Sequence, residues 1–314
     1  MESYSVHAFA ITPTVLLLCA CLAGMLVGSF LNVVIVRLPR MIDRAWQAEC
    51  AEYLGMSATP DLPATRTMGP TTSLAPPHAA TNPAQELHAS RFNLAVPRSH
   101  CPTCQHPLGW AELIPILSWI WLRGRCRHCD TRISAMYPLV EGATAILFMA
   151  AAWRFGPTPT AVSSMILLAA LVALSAIDLR TLLLPDAITQ PLLWAGFIVN
   201  LTGFGFARLD DAVIGAISGY LVLWLIGTGY RLLRRQVGMG HGDFKLLAAL
   251  GAWLGWQALP AVILVAALAG AAVALVLVAL KRLAHDDPIP FGGFLALGGA
   301  IAVLCPGFLP AIPW

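Results

Sequence analysis

Apolar residues run along this chain in long blocks rather than at every third or fourth position. Eight blocks stand out: 12–36, 136–154, 160–177, 185–204, 211–230, 244–258, 259–280 and 291–312. Each predicts a transmembrane helix, which needs about 20 predominantly apolar residues and satisfies its own backbone inside lipid. The sixth block is short. Only Gly255, Trp256 and Pro260 divide it from the seventh, so seven spans is the competing count. Polar residues gather in one long segment, 38–135, between the first and second blocks. Its opening, Met41 to Leu54, predicts a short amphipathic helix carrying Trp46 and Tyr53. The stretch 57–90 is rich in Pro, Thr, Ala and Ser and holds only Asp61, Arg66 and Glu86 as charges, which predicts a flexible insertion.

Composition narrows the class. Hydrophobic residues make up 58% and charged residues 11%, with a mean hydropathy of +0.74. Soluble domains run near 45–50% apolar and about 25% charged. A soluble enzyme, a disordered tail and a nucleic-acid binder are thereby excluded. The expected fold is an all-α polytopic membrane protein of about eight transmembrane helices, with a loop domain after the first.

The net charge of +3 says little; its distribution says more. Only Glu2 precedes the first block as a charge, and Arg37, Arg40 and Arg44 follow it, which predicts a signal anchor rather than a cleaved signal peptide. With the N-terminus outside, all of the 19 Lys and Arg except Arg154 and Arg208 fall on inside segments. That matches the excess of basic residues in cytoplasmic loops. Three domains are expected: an anchor at 1–37, a cytoplasmic loop at 38–135 and a membrane-embedded body at 136–314.

The loop ends in a metal-binding pattern. Cys101-Pro-Thr-Cys104 is followed, 21 residues on, by Cys126-Arg-His-Cys129. Two such knuckles offer four thiolates, the set for a closed, tetrahedral, structural zinc site. The alternative is two disulfides, which a reducing cytoplasm disfavours. Cys19, Cys21, Cys50 and Cys305 lack partner spacing and are read as packing residues. His100, His106 and His128 lie near the knuckles, but four thiolates are complete without them.

Four carboxylates lie in or beside the spans, where charge is costly and points to function. Glu141, inside the second span, could equally be polar glue between helices. Asp178 ends the third span and could be a terminal residue paired with Arg180. Asp186 follows Pro185 in the first turn of the fourth span and suits the helix dipole. Asp243, in Gly240-His-Gly242-Asp243, could be an ordinary N-cap. The combination carries more. Asp178 and Asp243 fall 65 residues apart at the same predicted cytoplasmic edge. Two carboxylates sharing a partly dry site hold one proton between them, so one can act as base and the other as acid. Peptide hydrolysis by an aspartic dyad needs that division.

These residues, taken in order, resemble the type IV prepilin peptidases, the bifunctional leader peptidase and N-methyltransferases of type IV pilus and type II secretion systems. The resemblance covers nearly the whole chain. It includes Gly28-Ser-Phe-Leu-Asn32 through Arg37-Leu-Pro39, the two CxxC pairs, and Ile114-Pro-Ile-Leu-Ser-Trp119 with Leu122-Arg-Gly-Arg-Cys126. It continues through Tyr137-Pro-Leu-Val-Glu141, Ile177-Asp178, Leu184-Pro185-Asp186, Gly240-His-Gly-Asp243-Phe-Lys-Leu246 and Pro290-Phe-Gly292. It implies Asp178 and Asp243 as the protease dyad and Cys101, Cys104, Cys126 and Cys129 as zinc ligands. It implies type IV prepilins and type II secretion pseudopilins as protein substrates, cut on the cytoplasmic side of the bacterial inner membrane. S-adenosylmethionine would then methylate the new N-terminus, usually Phe, with the Gly28–Pro39 stretch and the loop associated with that step.

The chain departs from the family pattern at Gly293, where Pro is common, at Met136, where Arg is common, and at Glu112-Leu113, which lacks the usual Asn. The insertion at 57–90 is also long. No Gly-rich strand-to-helix fingerprint marks a nucleotide site, so methylation follows from the resemblance alone. Rival readings are a GxGD peptidase without methylation, a non-enzymatic zinc-ribbon assembly factor, and a transporter. The last would favour a carboxylate at mid-membrane depth, whereas both aspartates sit at an edge.

Overall fold

A computed structural model describes residues 12–53, 92–235, 239–281 and 290–305. The predicted insertion at 57–90 lies outside the described residues, as does the end of the last predicted span. Among the described residues the chain is helical, and its only β pairings are two isolated bridges. The helices are α1 (Pro13–Tyr53), α2 (Leu117–Trp121, after a 3-10 turn at Trp110–Leu113), α3 (Met136–Phe155) and α4 (Pro159–Thr181). Then come α5 (Asp186–Leu201), α6 (Leu209–Arg234), α7 (His241–Leu254), α8 (Leu259–Ala279) and α9 (Phe291–Leu304).

Each of the eight apolar blocks therefore contains its own helix. Five are long and apolar enough to cross a membrane: α1, α3, α4, α6 and the stretch Trp256–Ala279 that contains α8. The others, α5, α7 and α9, have 16, 14 and 14 residues, short of the about 20 that a crossing needs. The packing of α7 accounts for its length. It is enclosed by α5, α6 and α9, and from Asp243 to Leu254 every residue but Lys245 is buried. Its neighbours, not lipid, set where it can end.

The expected break between the sixth and seventh blocks is present. Helix α7 stops at Gly255, whose φ of 78° suits a residue without a Cβ. A 3-10 turn at Trp256–Ala258 follows, and Pro260 sits in the first turn of α8, where its missing N–H costs nothing. Similarly, Thr158 caps α4 by accepting the Ala161 N–H at 3.3 Å, with Pro159 at the first helical position.

One element differs from expectation. Met41 to Leu54 does not form a separate amphipathic helix. Helix α1 runs unbroken for 41 residues to Tyr53, with Pro39 inside it. Composition changes near Arg37, but the one stop signal between there and Tyr53 is Pro39, and one proline removes only one backbone bond. A helix of that length is roughly 60 Å long, about twice the hydrocarbon core. The last turns therefore stand clear of the bilayer, with Trp46 and Tyr53 exposed.

Close helix contact rests on small residues. A Cβ at Gly24 would lie 2.6 Å from the Ala145 Cα, and one at Gly28 would lie 2.7 Å from the Glu141 Cα. This Gly-x-x-x-Gly pair lets α1 press directly onto α3, as small residues do between membrane helices. Gly215 and Gly219 repeat the device between α6 and α7. Neither pair is part of the sequence reading above, although both are legible in the sequence. The cysteines read as packing residues are not core residues: Cys19, Cys50 and Cys305 are exposed, and Cys21 is half-buried.

Candidate active site and metal centre

Five helix ends meet at one edge of the bundle. Asp178 lies in the last turn of α4, and Asp243 in the first turn of α7. The start of α9 meets Asp178, because the Gly293 N–H donates to its Oδ2 at 3.0 Å. The start of α3 is also there: Asn32 of α1 donates to the Tyr137 carbonyl at 3.1 Å, and Arg180 reaches the Met136 sulfur. The start of α5 joins through Lys245, whose Nζ lies 2.7 Å from both oxygens of Asp186.

Asp178 and Asp243 are both buried. Leu184 packs between their surroundings. It meets Gly242, the residue before Asp243, and also Gly292, where a Cβ would lie 2.9 Å from the Asp178 Oδ2. Among the described residues neither aspartate has an ion-pair partner, so the proposed terminal pairing of Asp178 with Arg180 does not occur. Two buried carboxylates from different helices, with no ion-pair partner among the described residues, are thus brought to one edge of the bundle.

The glycines around Asp243 play unequal parts. Gly240 is open, its nearest neighbour being the Asp243 Oδ2 at 3.8 Å from an added Cβ, whereas Gly242 is filled against Leu184. Only Gly240 leaves room for an approaching backbone. His241 is exposed and leans on Phe244, with ring centroids 5.4 Å apart; it does not join the carboxylates. Asp186 has a direct partner besides the helix dipole, since it pairs with Lys245 across 59 positions of sequence. Gly293 acquires a meaning as well. Where the family commonly has Pro, this chain keeps an N–H and gives it to Asp178; proline has no such donor.

Glu141 is buried where α3 meets α1, beside Gly28, and it also acts as glue toward the loop. Its Oε2 accepts the Ile116 N–H at 2.7 Å. That bond pins a tight turn in which Ile116 has a φ of 60° and the Leu117 N–H donates to the Pro115 carbonyl at 2.5 Å. A β-branched residue in that region is strained, and the carboxylate helps hold it there.

The two knuckles are near copies. In the first, the Cys101 N–H donates to the His106 carbonyl and the Gln105 N–H to the Cys101 carbonyl; in the second, Cys126 pairs with Thr131 and Asp130 with Cys126 in the same way. Gln105 and Asp130 take matching positive φ values of 58° and 55°. The knuckles face each other, so that Cys101, Cys104, Cys126 and Cys129 bring their Sγ atoms within 4.8 Å of one another. Cys101 and Cys129 are 3.6 Å apart, and Cys104 and Cys126 4.0 Å. No disulfide joins them. Four sulfurs at about 2.3 Å from a tetrahedral zinc would be roughly 3.8 Å apart, so the set fits a metal ion.

The thiols do not titrate alike. Cys129 is pulled down to about 6, first by the Thr131 hydroxyl and then by the Thr131 N–H. Cys104 stands near 11: the His106 N–H pulls it down, but lost hydration and the neighbouring thiols outweigh that bond. Four thiols this close ionise together only if a cation balances them. His106 and His128 stack with centroids 3.5 Å apart, beside the cluster.

Fold and site together define a class: a polytopic helical membrane protein with two buried aspartates at one end of its bundle and a four-cysteine subdomain at the same end. Sequence comparison makes the class specific. Residues 22–155 match the bacterial peptidase A24 N-terminal domain, and residues 165–275 match the type IV leader peptidase family. The chain belongs to the type IV leader peptidase family. It is 52% identical to a prepilin leader peptidase/N-methyltransferase of Burkholderia pseudomallei, over 93% of this chain and 87% of the relative. It is 49% identical to one of Aeromonas hydrophila, over 90% of this chain and 88% of the relative. It is 43% identical to one of Pseudomonas aeruginosa, over 93% of this chain and 91% of the relative. No solved structure matches it significantly.

Proposed function

We propose that this chain is a bifunctional prepilin peptidase and N-methyltransferase of the bacterial inner membrane, with Asp178 and Asp243 as its catalytic dyad. The observation that carries the protease half is the placing of these two buried aspartates, from α4 and α7, at one edge of the bundle, with no ion-pair partner for either among the described residues. One carboxylate takes a proton from water as the oxygen attacks the scissile carbonyl; the other gives its proton to the leaving amine. The Gly293 N–H holds Asp178 in place, and the open space at Gly240 admits an extended substrate backbone. The substrates are prepilins, in keeping with the names of the relatives, and, by the resemblance set out above, type II secretion pseudopilins.

The N-terminus is periplasmic and the loop cytoplasmic, in accord with the basic residues on the inside segments. We assign the anchor to 1–37, the methylation-associated loop to 38–135 and the peptidase body to 136–314. Zinc is the metal that four thiolates of this geometry favour, and a closed site gives it a structural role. S-adenosylmethionine, when bound, supplies the methyl group for the new amine. Among the described residues there is no strand-to-helix glycine cradle for it.

The test uses the purified full-length protein, a prepilin with an intact leader, and S-adenosylmethionine, with products read by mass spectrometry. The expected product has lost its leader and is one methyl heavier at its new N-terminus. A leader-free product that is never methylated would leave a peptidase alone; an unchanged prepilin would overturn the reading. The choice of Asp178 over Asp186 has its own check. Asp186→Asn breaks a partly exposed ion pair, a type worth about 0–1 kcal/mol, so cleavage should slow by no more than about fivefold. Wild-type cleavage by Asp178→Asn with loss in Asp186→Asn would reverse the assignment.

A further inference from the structure

Helix α2 wears its apolar residues on the outside. Leu117, Ile120 and Trp121 share one face, at spacings that bring side chains together on a helix, and are 66%, 60% and 80% exposed. Trp110, in the preceding 3-10 turn, is 87% exposed. The opposite side of α2 is the anchored one. Trp119 donates its Nε1–H to the Ile133 carbonyl at 3.3 Å and packs against Gly124. A contiguous apolar surface of this kind marks an interaction site.

Its level relative to the bilayer follows from its attachment. The Ile116 N–H is bound to Glu141, and the Ile116 side chain lies beside Gly142. These are the sixth and seventh residues of α3, which opens at Met136 and is long and apolar enough to span. The beginning of α2 is therefore level with a point roughly 8 Å along that helix, the depth at which interfacial helices lie. The backbone turn at that depth is tolerated because Glu141 satisfies it. Charge agrees with this placement. Arg123, Arg125, Arg127 and Arg132 follow α2 and are all exposed, and among the described residues only Arg125 is ion-paired, with Asp130.

We propose that the 3-10 turn and α2 form an interfacial anchor that docks on an anionic phospholipid leaflet. Trp110, Leu117, Ile120 and Trp121 enter the boundary between headgroups and acyl chains, and the arginines meet the lipid phosphates. Tryptophan favours that boundary, and each basic residue near an anionic surface adds to the attraction. The anchor ties the four-cysteine subdomain to the membrane edge where Asp178 and Asp243 sit, yet it does not depend on their chemistry.

The full-length protein in nanodiscs of mixed phosphatidylcholine and phosphatidylglycerol tests this. One or other lipid carries a photoreactive diazirine in its acyl chain, and adducts are mapped by mass spectrometry. Adducts are expected on 110–121 as well as on the lipid face of α8, but not on the knuckle residues 101–106. The phosphatidylglycerol probe should label 110–121 more than the phosphatidylcholine probe. In Arg123→Gln/Arg127→Gln that preference should be lost, and in Leu117→Gln/Ile120→Gln both probes should fail there while bound metal is retained. Labelling of α8 without labelling of 110–121 would overturn the proposal, as would cross-linking of 110–121 to a second copy or to a prepilin helix in place of lipid. Equal labelling by the two probes in the wild type would overturn the anionic preference.

Discussion

Asn at either position 178 or 243 is expected to lower prepilin cleavage by about 10²–10⁴-fold, the contribution of positioned acid–base groups. An amide of the same shape can neither accept the proton of the attacking water nor supply one to the leaving amine. The variants should still fold. Among the described residues Asp178 and Asp243 have no ion-pair partners to lose, and an amide oxygen at 178 can still accept the Gly293 N–H. Methylation separates the two activities. The amine that is methylated does not exist until the bond is cut, so a dyad variant should leave an intact prepilin unmethylated. Offered a precut pilin and S-adenosylmethionine, the same variant should methylate at the wild-type rate. The measurement is mass spectrometry of both substrates with Asp243→Asn. Loss of methylation on the precut pilin would show that the activities share residues, against the division between membrane body and loop.

Removing the metal should act in the opposite place. Cys101→Ser or Cys126→Ser is expected to abolish bound zinc, about one ion per chain in the wild type, and to open residues 92–135 to limited proteolysis. Around the cysteines there are only short turns, two isolated bridges and a five-residue helix, too little to bury a core of its own. Zinc binding contributes about 10–16 kcal/mol in comparable small peptides, and here that free energy is folding free energy. Helices α4, α7 and α9 do not share these ligands, so the packing around Asp178 and Asp243 should survive in the same preparation. Metal analysis together with a protease time course checks both statements. A cytoplasmic preparation with no metal and two disulfides would overturn the zinc assignment.

The sequence made some of these features legible and hid others for a physical reason. Hydropathy located the helices because lipid demands a long apolar run from each segment. The knuckles were legible because their ligands sit three residues apart, and the geometry of a single turn does the rest. Asp178 and Asp243 could be paired only through topology, since an up-and-down bundle returns alternate helix ends to the same edge. The supports of the site were not legible. Gly293 meets Asp178 across 115 positions, Lys245 meets Asp186 across 59, and Ile116 meets Glu141 across 25. No local periodicity encodes such contacts; they arise when helices of particular lengths are packed. The helix expected from Met41 is present over 41–53 but not as a separate element: the change in composition near Arg37 is not a change in backbone, and α1 continues through Pro39.

The length of α1 has a consequence for the stretch 54–91. The chain leaves α1 at Tyr53 and returns to the same helix at Phe92, whose ring lies 4.2 Å below the Arg44 guanidinium. Arg37 then grips the returning strand of backbone, donating to the carbonyls of Asn93, Leu94 and Pro97. Both ends of the excursion are thus fastened to one rigid rod, within a few helical turns of each other. Closure of such a loop depends only logarithmically on its length, so doubling or halving it changes the free energy by about 0.6 kcal/mol. A change in the number of residues between these two fastenings therefore puts no new strain on the rod, the metal knuckles or the aspartates, and the pair of fastenings is a natural port for insertion in an otherwise closely packed membrane protein.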